Sequence, residues 1–110
     1  MKELRIMVDD KRDHAGDGAI IIRDPRIALQ TLRRLHRQIG VLLMDNDMGH
    51  GWEFEGRNLL KQFMQDCRNA KDYPPKVILV TSNTPAAMDM SALLTEHGYK
   101  SMGGFVFERT

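Results

Sequence analysis

Residues 41–47 read Val-Leu-Leu-Met-Asp-Asn-Asp, an apolar run that ends in two carboxylates. Two further apolar runs end in polar residues: Leu4–Val8 is followed by the carboxylates Asp9-Asp10, and Val77–Val80 is followed by the uncharged triplet Thr81-Ser82-Asn83. Short apolar runs bounded by turn residues are typical of buried strands. If these runs are neighbouring parallel strands, their polar ends meet at one edge of a sheet, where open α/β sheets bind ligands.

Helical patterns separate most of the strands. The predicted strands span residues 3–8, 19–22, 41–44, 76–80 and 104–107. The predicted helices begin at Pro25 (after an Asp24 N-cap), near Arg57, and at Pro85 (after a Thr84 N-cap). Gly40 and Gly98 are expected to stop the first and the last of them. This alternation predicts an α/β fold with a parallel sheet and right-handed crossovers.

The first two strands are joined by a polar loop, residues 11–18, that carries no apolar stripe. About ten residues are barely enough for a helical crossover. We therefore expect the first helix of the fold to be lost or reduced to a turn.

Composition predicts a single domain, residues 1–110, with 42% hydrophobic and 28% charged residues. A net charge of +1 gives no global attraction to nucleic acid or anionic membrane. No apolar stretch approaches the ~20 residues of a membrane span. The single Cys67 cannot form an internal disulfide, which favours a cytoplasmic protein, and its place on an apolar helical stripe predicts inert core packing.

Four short motifs carry a family resemblance: Asp9-Asp10-Lys11-Arg12, Asp45-Asn46-Asp47-Met48-Gly49, Gly56, and Ser82-Asn83-Thr84-Pro85. They resemble the segments of response-regulator receiver domains, and more closely those of the cyclic-phosphate processing receiver domain family of bacteria and phages. The resemblance covers nearly the whole chain. It implies a receiver-like (flavodoxin-like) three-layer fold whose five-stranded parallel sheet has the order 2-1-3-4-5.

The resemblance also implies a metal site. Four carboxylates at one sheet edge repel one another unless a cation or protons neutralise them. In receivers an equivalent oxygen set holds Mg²⁺, which assigns Asp9, Asp10 and Asp45 as its ligands here. The alternative is that these strand-end aspartates are ordinary caps and turn formers.

A phosphate polarised by that ion would be attacked by a metal-bound water or by Asp45, with Asp45 and Asp47 as catalytic residues. The expected phosphate-binding residues are Thr81, Ser82, Asn83 and Arg12.

Two positions depart from the family pattern. Asn46 stands where relatives carry His, so a proton donor there must be replaced or dispensed with. The Lys of the receiver fifth strand has no counterpart, and the sequence places Glu108 at its position. Because a carboxylate there would oppose a phosphoryl group by like charge, ordinary phosphoaspartate signalling is not expected.

Three loop residues are candidates for contact with a ligand or partner. His14 and His50 are expected at the same edge, where either would act as general acid or base or remain solvated. Trp52 would stack on a nucleobase, contact a protein, or pack over the sheet edge.

Two functions follow. The first is a Mg²⁺-dependent phosphoesterase-like or phosphate- and nucleotide-binding domain, acting on a cyclic phosphate or RNA end in RNA or nucleotide metabolism or in phage–host conflict. The second is a non-catalytic receiver-like module that binds a protein, such as a phage protein that inhibits a host protein. Either would be a monomer or a weak dimer formed through the exposed fifth strand.

Overall fold

The computed structural model describes residues 2–11, 18–49 and 51–109. Its strands are β1 (Leu4–Val8), β2 (Ile20–Ile22), β3 (Ile39–Met44), β4 (Lys76–Leu79), β5 (Tyr99–Ser101) and β6 (Val106–Arg109). Its helices are α1 (Pro25–Leu35), α2 (Gly56–Ala70) and α3 (Thr84–Glu96), with short 3₁₀ turns at His36–Gln38 and Trp52–Phe54. Because residues 12–17 lie outside the described ranges, the expected loss of the first helix stays a prediction.

The sheet has the order β2-β1-β3-β4-β6-β5, and the receiver-like α/β prediction is confirmed. Strands β2, β1, β3 and β4 are parallel in the predicted 2-1-3-4 order. Three backbone hydrogen bonds continue the ladder beyond the strands: Asp9 N to Ile22 O, Asp45 N to Val8 O, and Val80 N to Met44 O. These bonds align the polar strand ends at the carboxyl edge of the sheet.

The prediction for the fifth strand was wrong in direction. After α3 the chain forms β5, turns at residues 102–105, and returns as β6 between β4 and β5. Strand β6 is antiparallel to β4, with Ile78 opposite Val106 and Val77 opposite Phe107. The sequence signal for this turn is the Gly103-Gly104 pair, since paired glycines are typical of hairpin turns.

The three helices pack on one face of the sheet, not on two as the three-layer expectation required. Buried side chains from all three, including Leu32, Phe63 and Met90, share one core with alternate strand residues. The residues of the other face, centred on Met7 and Leu43, form a second cluster that contains no residue of these helices. The described part of the chain is thus a helical layer on a six-stranded sheet.

Two helix boundaries differ from the predicted ones. Helix α1 ends at Leu35, and Gly40 lies inside β3. A Cβ there would come within 2.3 Å of the Lys2 carbonyl oxygen, so Gly40 allows close backbone approach instead of stopping a helix. The N-cap of α3 is Asn83, not Thr84. No helix in the described ranges has the length and apolar character needed to cross a bilayer.

Candidate functional site

The carboxyl edge of the sheet brings together three aspartates. Asp9 follows β1 and is 0% exposed, and Asp45 follows β3 and is 5% exposed. Asp10 is partly buried beside them. One carboxylate oxygen of each lies within 4.8 Å of the other two. The structure therefore juxtaposes the three predicted metal ligands.

Hydrogen bonds orient two of these carboxylates. Asp9 Oδ1 accepts from the backbone N–H of Lys11 at 2.9 Å, and Asp45 Oδ1 accepts from the N–H of Asn46 at 2.8 Å. In contrast, Asp10 Oδ1 is buried and has no hydrogen-bond partner within the described residues. A buried acceptor without a partner is costly. A cation or a proton would satisfy this oxygen.

A cleft of about 220 Å³ opens above the aspartates. Its lining consists of Asp9, Asp10, Lys11, Asp45, Asp47 and Ser82. Lys11 is the one basic residue in that described lining, and the sequence analysis gave it no role of its own. Its position directly after the acidic pair was the sequence signal for a place in the cleft. A Lys side chain at the start of a loop is long enough to reach over the end of the preceding strand.

Asn46 holds the start of α2 against the acidic cluster. It is fully buried, its backbone oxygen accepts from Gly56 N at 2.9 Å, and its Oδ1 accepts from Arg57 N at 3.0 Å. A Cβ on Gly56 would lie 1.7 Å from the Asp45 carbonyl oxygen. Asn46 therefore binds the backbone at the N-terminus of α2.

The residues of the polar segment after β4 differ in their relation to the cleft. Ser82 lines the cleft, whereas Thr81 Oγ1 accepts from Asn83 N at 3.1 Å. Asn83 Oδ1 caps α3 by accepting from Ala86 N at 3.1 Å, and its Nδ2 donates to Asp47 Oδ1 at 3.4 Å. Asn46 Nδ2 donates to the same oxygen at 3.3 Å. Two amides thus position Asp47, which is exposed at the cleft.

Several candidates are not placed by the structure. Arg12, His14 and His50 lie outside the described residues, and for Trp52 only the backbone, in its 3₁₀ turn, is described.

Glu108 does not lie at the position of the receiver Lys, and its predicted placement was wrong. Because β6 runs antiparallel, Glu108 lies toward the amino edge of the sheet, where it pairs with Lys76 at 3.5 Å. The like-charge argument against a bound phosphoryl group therefore does not apply to it.

A family model matches most of the chain. The model of the family described as Cyclic-phosphate processing Receiver domain matches residues 4–96, a range that contains all six residues lining the cleft. Searches of curated proteins and of solved structures gave no match. Because the family match extends from β1 through α3, well over half of the chain, this protein belongs to the cyclic-phosphate processing receiver domain family.

Proposed function

We propose that the domain binds Mg²⁺ through Asp9, Asp10 and Asp45 and hydrolyses a cyclic phosphate ester held in the adjacent cleft. The observation that carries the proposal is the packing of three carboxylates within 4.8 Å of one another, two of them buried. Such a cluster is unfavourable unless protons or a cation offset the repulsion.

The donor set fits Mg²⁺, which takes oxygen ligands at 2.0–2.1 Å. Three carboxylate oxygens within 4.8 Å of one another are close enough for Asp9, Asp10 and Asp45 to share one such ion. The buried, unpartnered Asp10 Oδ1 would gain a partner. When bound, Mg²⁺ supplies a Lewis acid for the phosphate oxygens.

The residues of the cleft would bind the phosphate and accept a proton. Lys11 attracts the phosphate by charge, and the Ser82 hydroxyl donates a hydrogen bond to it. Asp47, held by the amides of Asn46 and Asn83, accepts a proton from the attacking water. A new O–P bond forms, one ring P–O bond breaks, and the departing alkoxide takes a proton from solvent, which leaves a phosphate monoester.

This assignment gives the two catalytic candidates different roles. Asp45 is buried and hydrogen-bonded next to the other metal-binding carboxylates, which suits a ligand better than a nucleophile. Asp47 is exposed to the cleft, which suits a general base. The substrate class is a cyclic phosphate ester, of which 2′,3′-cyclic nucleotides and RNA ends of the same chemistry are examples, met in the cytoplasm.

Metal binding and catalysis are tested separately. Saturating Mg²⁺ should raise the melting temperature of the wild type. At a Mg²⁺ concentration of 100 times Kd, the free energy of unfolding should increase by about 2.7 kcal/mol. Asp45→Asn should abolish this response and stabilise the metal-free protein, because one repelling charge is gone. Asp66→Asn is the matched control: Asp66 pairs with Arg33 on the helical layer, and its replacement should leave the response intact.

Turnover of 2′,3′-cyclic nucleotides should require Mg²⁺. Asp47→Asn should lower kcat by about 10²- to 10⁴-fold while the thermal response to Mg²⁺ persists. A wild type without any Mg²⁺ response and without turnover would overturn the enzyme proposal. That result would favour the alternative function, a non-catalytic module that binds a host protein.

A further inference from the structure

The turn between β5 and β6 places two exposed apolar side chains at the carboxyl edge of the sheet. Met102 is 59% exposed and Phe105 is 43% exposed. Since β6 runs antiparallel to β4, this turn, residues 102–105 and here called the apolar turn, lies beside the end of β4. The acidic cleft opens at the same edge.

Hydrogen bonds hold the apolar turn in one conformation. Leu79 N donates to Phe105 O at 3.0 Å, and Met102 N donates to Val106 O at 2.7 Å. Phe105 itself has a φ of +61°, a left-handed conformation that is unfavourable for an aromatic residue. Local strain of this kind occurs preferentially at functional sites.

The centre of the apolar turn is open. Gly103 and Gly104 carry no side chains, and a Cβ built on either would meet no atom within 4 Å. A planar ring could therefore lie over the two glycines, between Met102 and Phe105. Aromatic and thioether side chains both interact favourably with such rings.

The separation from the cleft suits a nucleotide. Asp45 follows β3, Ser82 follows β4, and the apolar turn precedes β6, which are three neighbouring strands. Two strand spacings amount to about 10 Å. This distance is of the order of the span from the phosphate of a nucleotide to the far edge of its base.

We propose that the apolar turn binds the base of a nucleotide whose phosphate lies in the acidic cleft. The inference rests on the proposed function and specifies its substrate class: a nucleoside cyclic phosphate, not a cyclic phosphate without a base. Recognition by stacking tolerates different bases.

Two probes distinguish the contribution of the base to affinity from that of the phosphate. They are adenosine 2′,3′-cyclic phosphate and methyl β-ribofuranoside 2,3-cyclic phosphate, which has no base, and each is titrated with Mg²⁺ present. The adenosine probe should bind about tenfold more tightly. Phe105→Gly should remove this preference without weakening the base-free probe. Glycine tolerates a positive φ, so the variant is expected to fold. Phe105→Tyr should restore the preference, and Met88→Ala, at another exposed apolar residue, should not affect it.

The outcomes distinguish the two proposals. Equal affinity of the wild type for both probes, or an equal loss of both in Phe105→Gly, would overturn the role of the apolar turn and leave the phosphate site standing. Failure of both probes to bind with Mg²⁺ would overturn both proposals.

Discussion

Backbone contact between Asp45 and Gly56 connects the acidic cluster to α2. The Asn46 side chain and backbone bind the first N–H groups of the helix, which brings the helix start against the loop that carries Asp45. Glycine is required at residue 56 by space and not by φ, because any Cβ would overlap the Asp45 carbonyl. The position of the Asp45 loop thus depends on a residue that has no side chain.

Gly56→Ala should destabilise the protein by about 3 kcal/mol, because either α2 or the Asp45 loop must move. Gly51→Ala is the matched control, since a Cβ at Gly51 meets no atom within 4 Å; it should change stability by about 0.5 kcal/mol or less. Urea unfolding of both variants measures the difference. Similar unfolding midpoints for the two would contradict the steric argument.

Cys67 should be chemically inert in the folded protein. It is fully buried in the helical core, and burial raises the pKa of its thiol to about 12. Since the thiolate is the reactive form, a disulfide reagent such as Ellman's reagent should label the protein slowly at pH 8 and rapidly in guanidinium chloride. Fast labelling of the native protein would show that the thiol is accessible.

At the scale of elements, the β5–β6 hairpin distinguishes this sheet from the expected one. Strand β5 has the direction predicted for the fifth strand but lies at the outer edge, because β6 is inserted beside β4. The insertion moves Glu108 away from the carboxyl edge and moves the apolar turn toward it. One reversal of chain direction therefore changes which side chains can meet a ligand.

The N-cap of α3 gives a test at the same scale. Asn83→Ala should cost about 1 kcal/mol, because the Ala86 N–H loses its acceptor. Asn83→Asp keeps the acceptor and should preserve most of the stability while placing a second carboxylate beside Asp47. Thermal unfolding without metal compares the variants. Equal losses for Ala and Asp would show that the cap is not the source of the stability.

A polar and aromatic cluster closes the amino edge of the sheet. Tyr73 Oη lies 2.9 Å from His97 Nδ1, Arg109 Nε donates to His97 O at 2.7 Å, and Tyr99 Oη donates to Pro74 O at 2.6 Å. The Arg109 guanidinium stacks 3.8 Å above the Tyr73 ring centroid. These contacts join the end of α3, the chain before β4, and the hairpin.

Stability should fall in acid through His97. Burial, together with the charges of Arg68 and Arg109, lowers its pKa below the usual value, against a smaller opposing effect of Glu96. The unfolded chain therefore binds more protons than the folded one, so this contribution is complete above about pH 6.5 and is lost as pH falls toward the depressed pKa.

Urea unfolding at pH 7.5 and 5.5 measures this effect. The stability difference between the two pH values should shrink in His97→Gln and persist in His36→Gln. An unchanged difference in His97→Gln would assign the acid sensitivity to other groups.

Apolar runs in the sequence predicted the α/β class and the grouping of the polar strand ends, and the family resemblance supplied the 2-1-3-4 strand order. The class and the grouping could be predicted because apolar runs and the polar residues that end them are local signals, and parallel strands align their carboxyl ends. Asp9, Asp10 and Asp45 were found from that rule.

The remaining features depend on contacts between residues distant in the chain, which local patterns do not encode. The direction of β6, the helices on a single face, and the capping roles of Asn46 and Asn83 follow from which surfaces pack together. The requirement for glycine at residue 56 likewise exists only because the Asp45 backbone lies against it. Local patterns place a residue in an element, whereas packing decides what its side chain can touch.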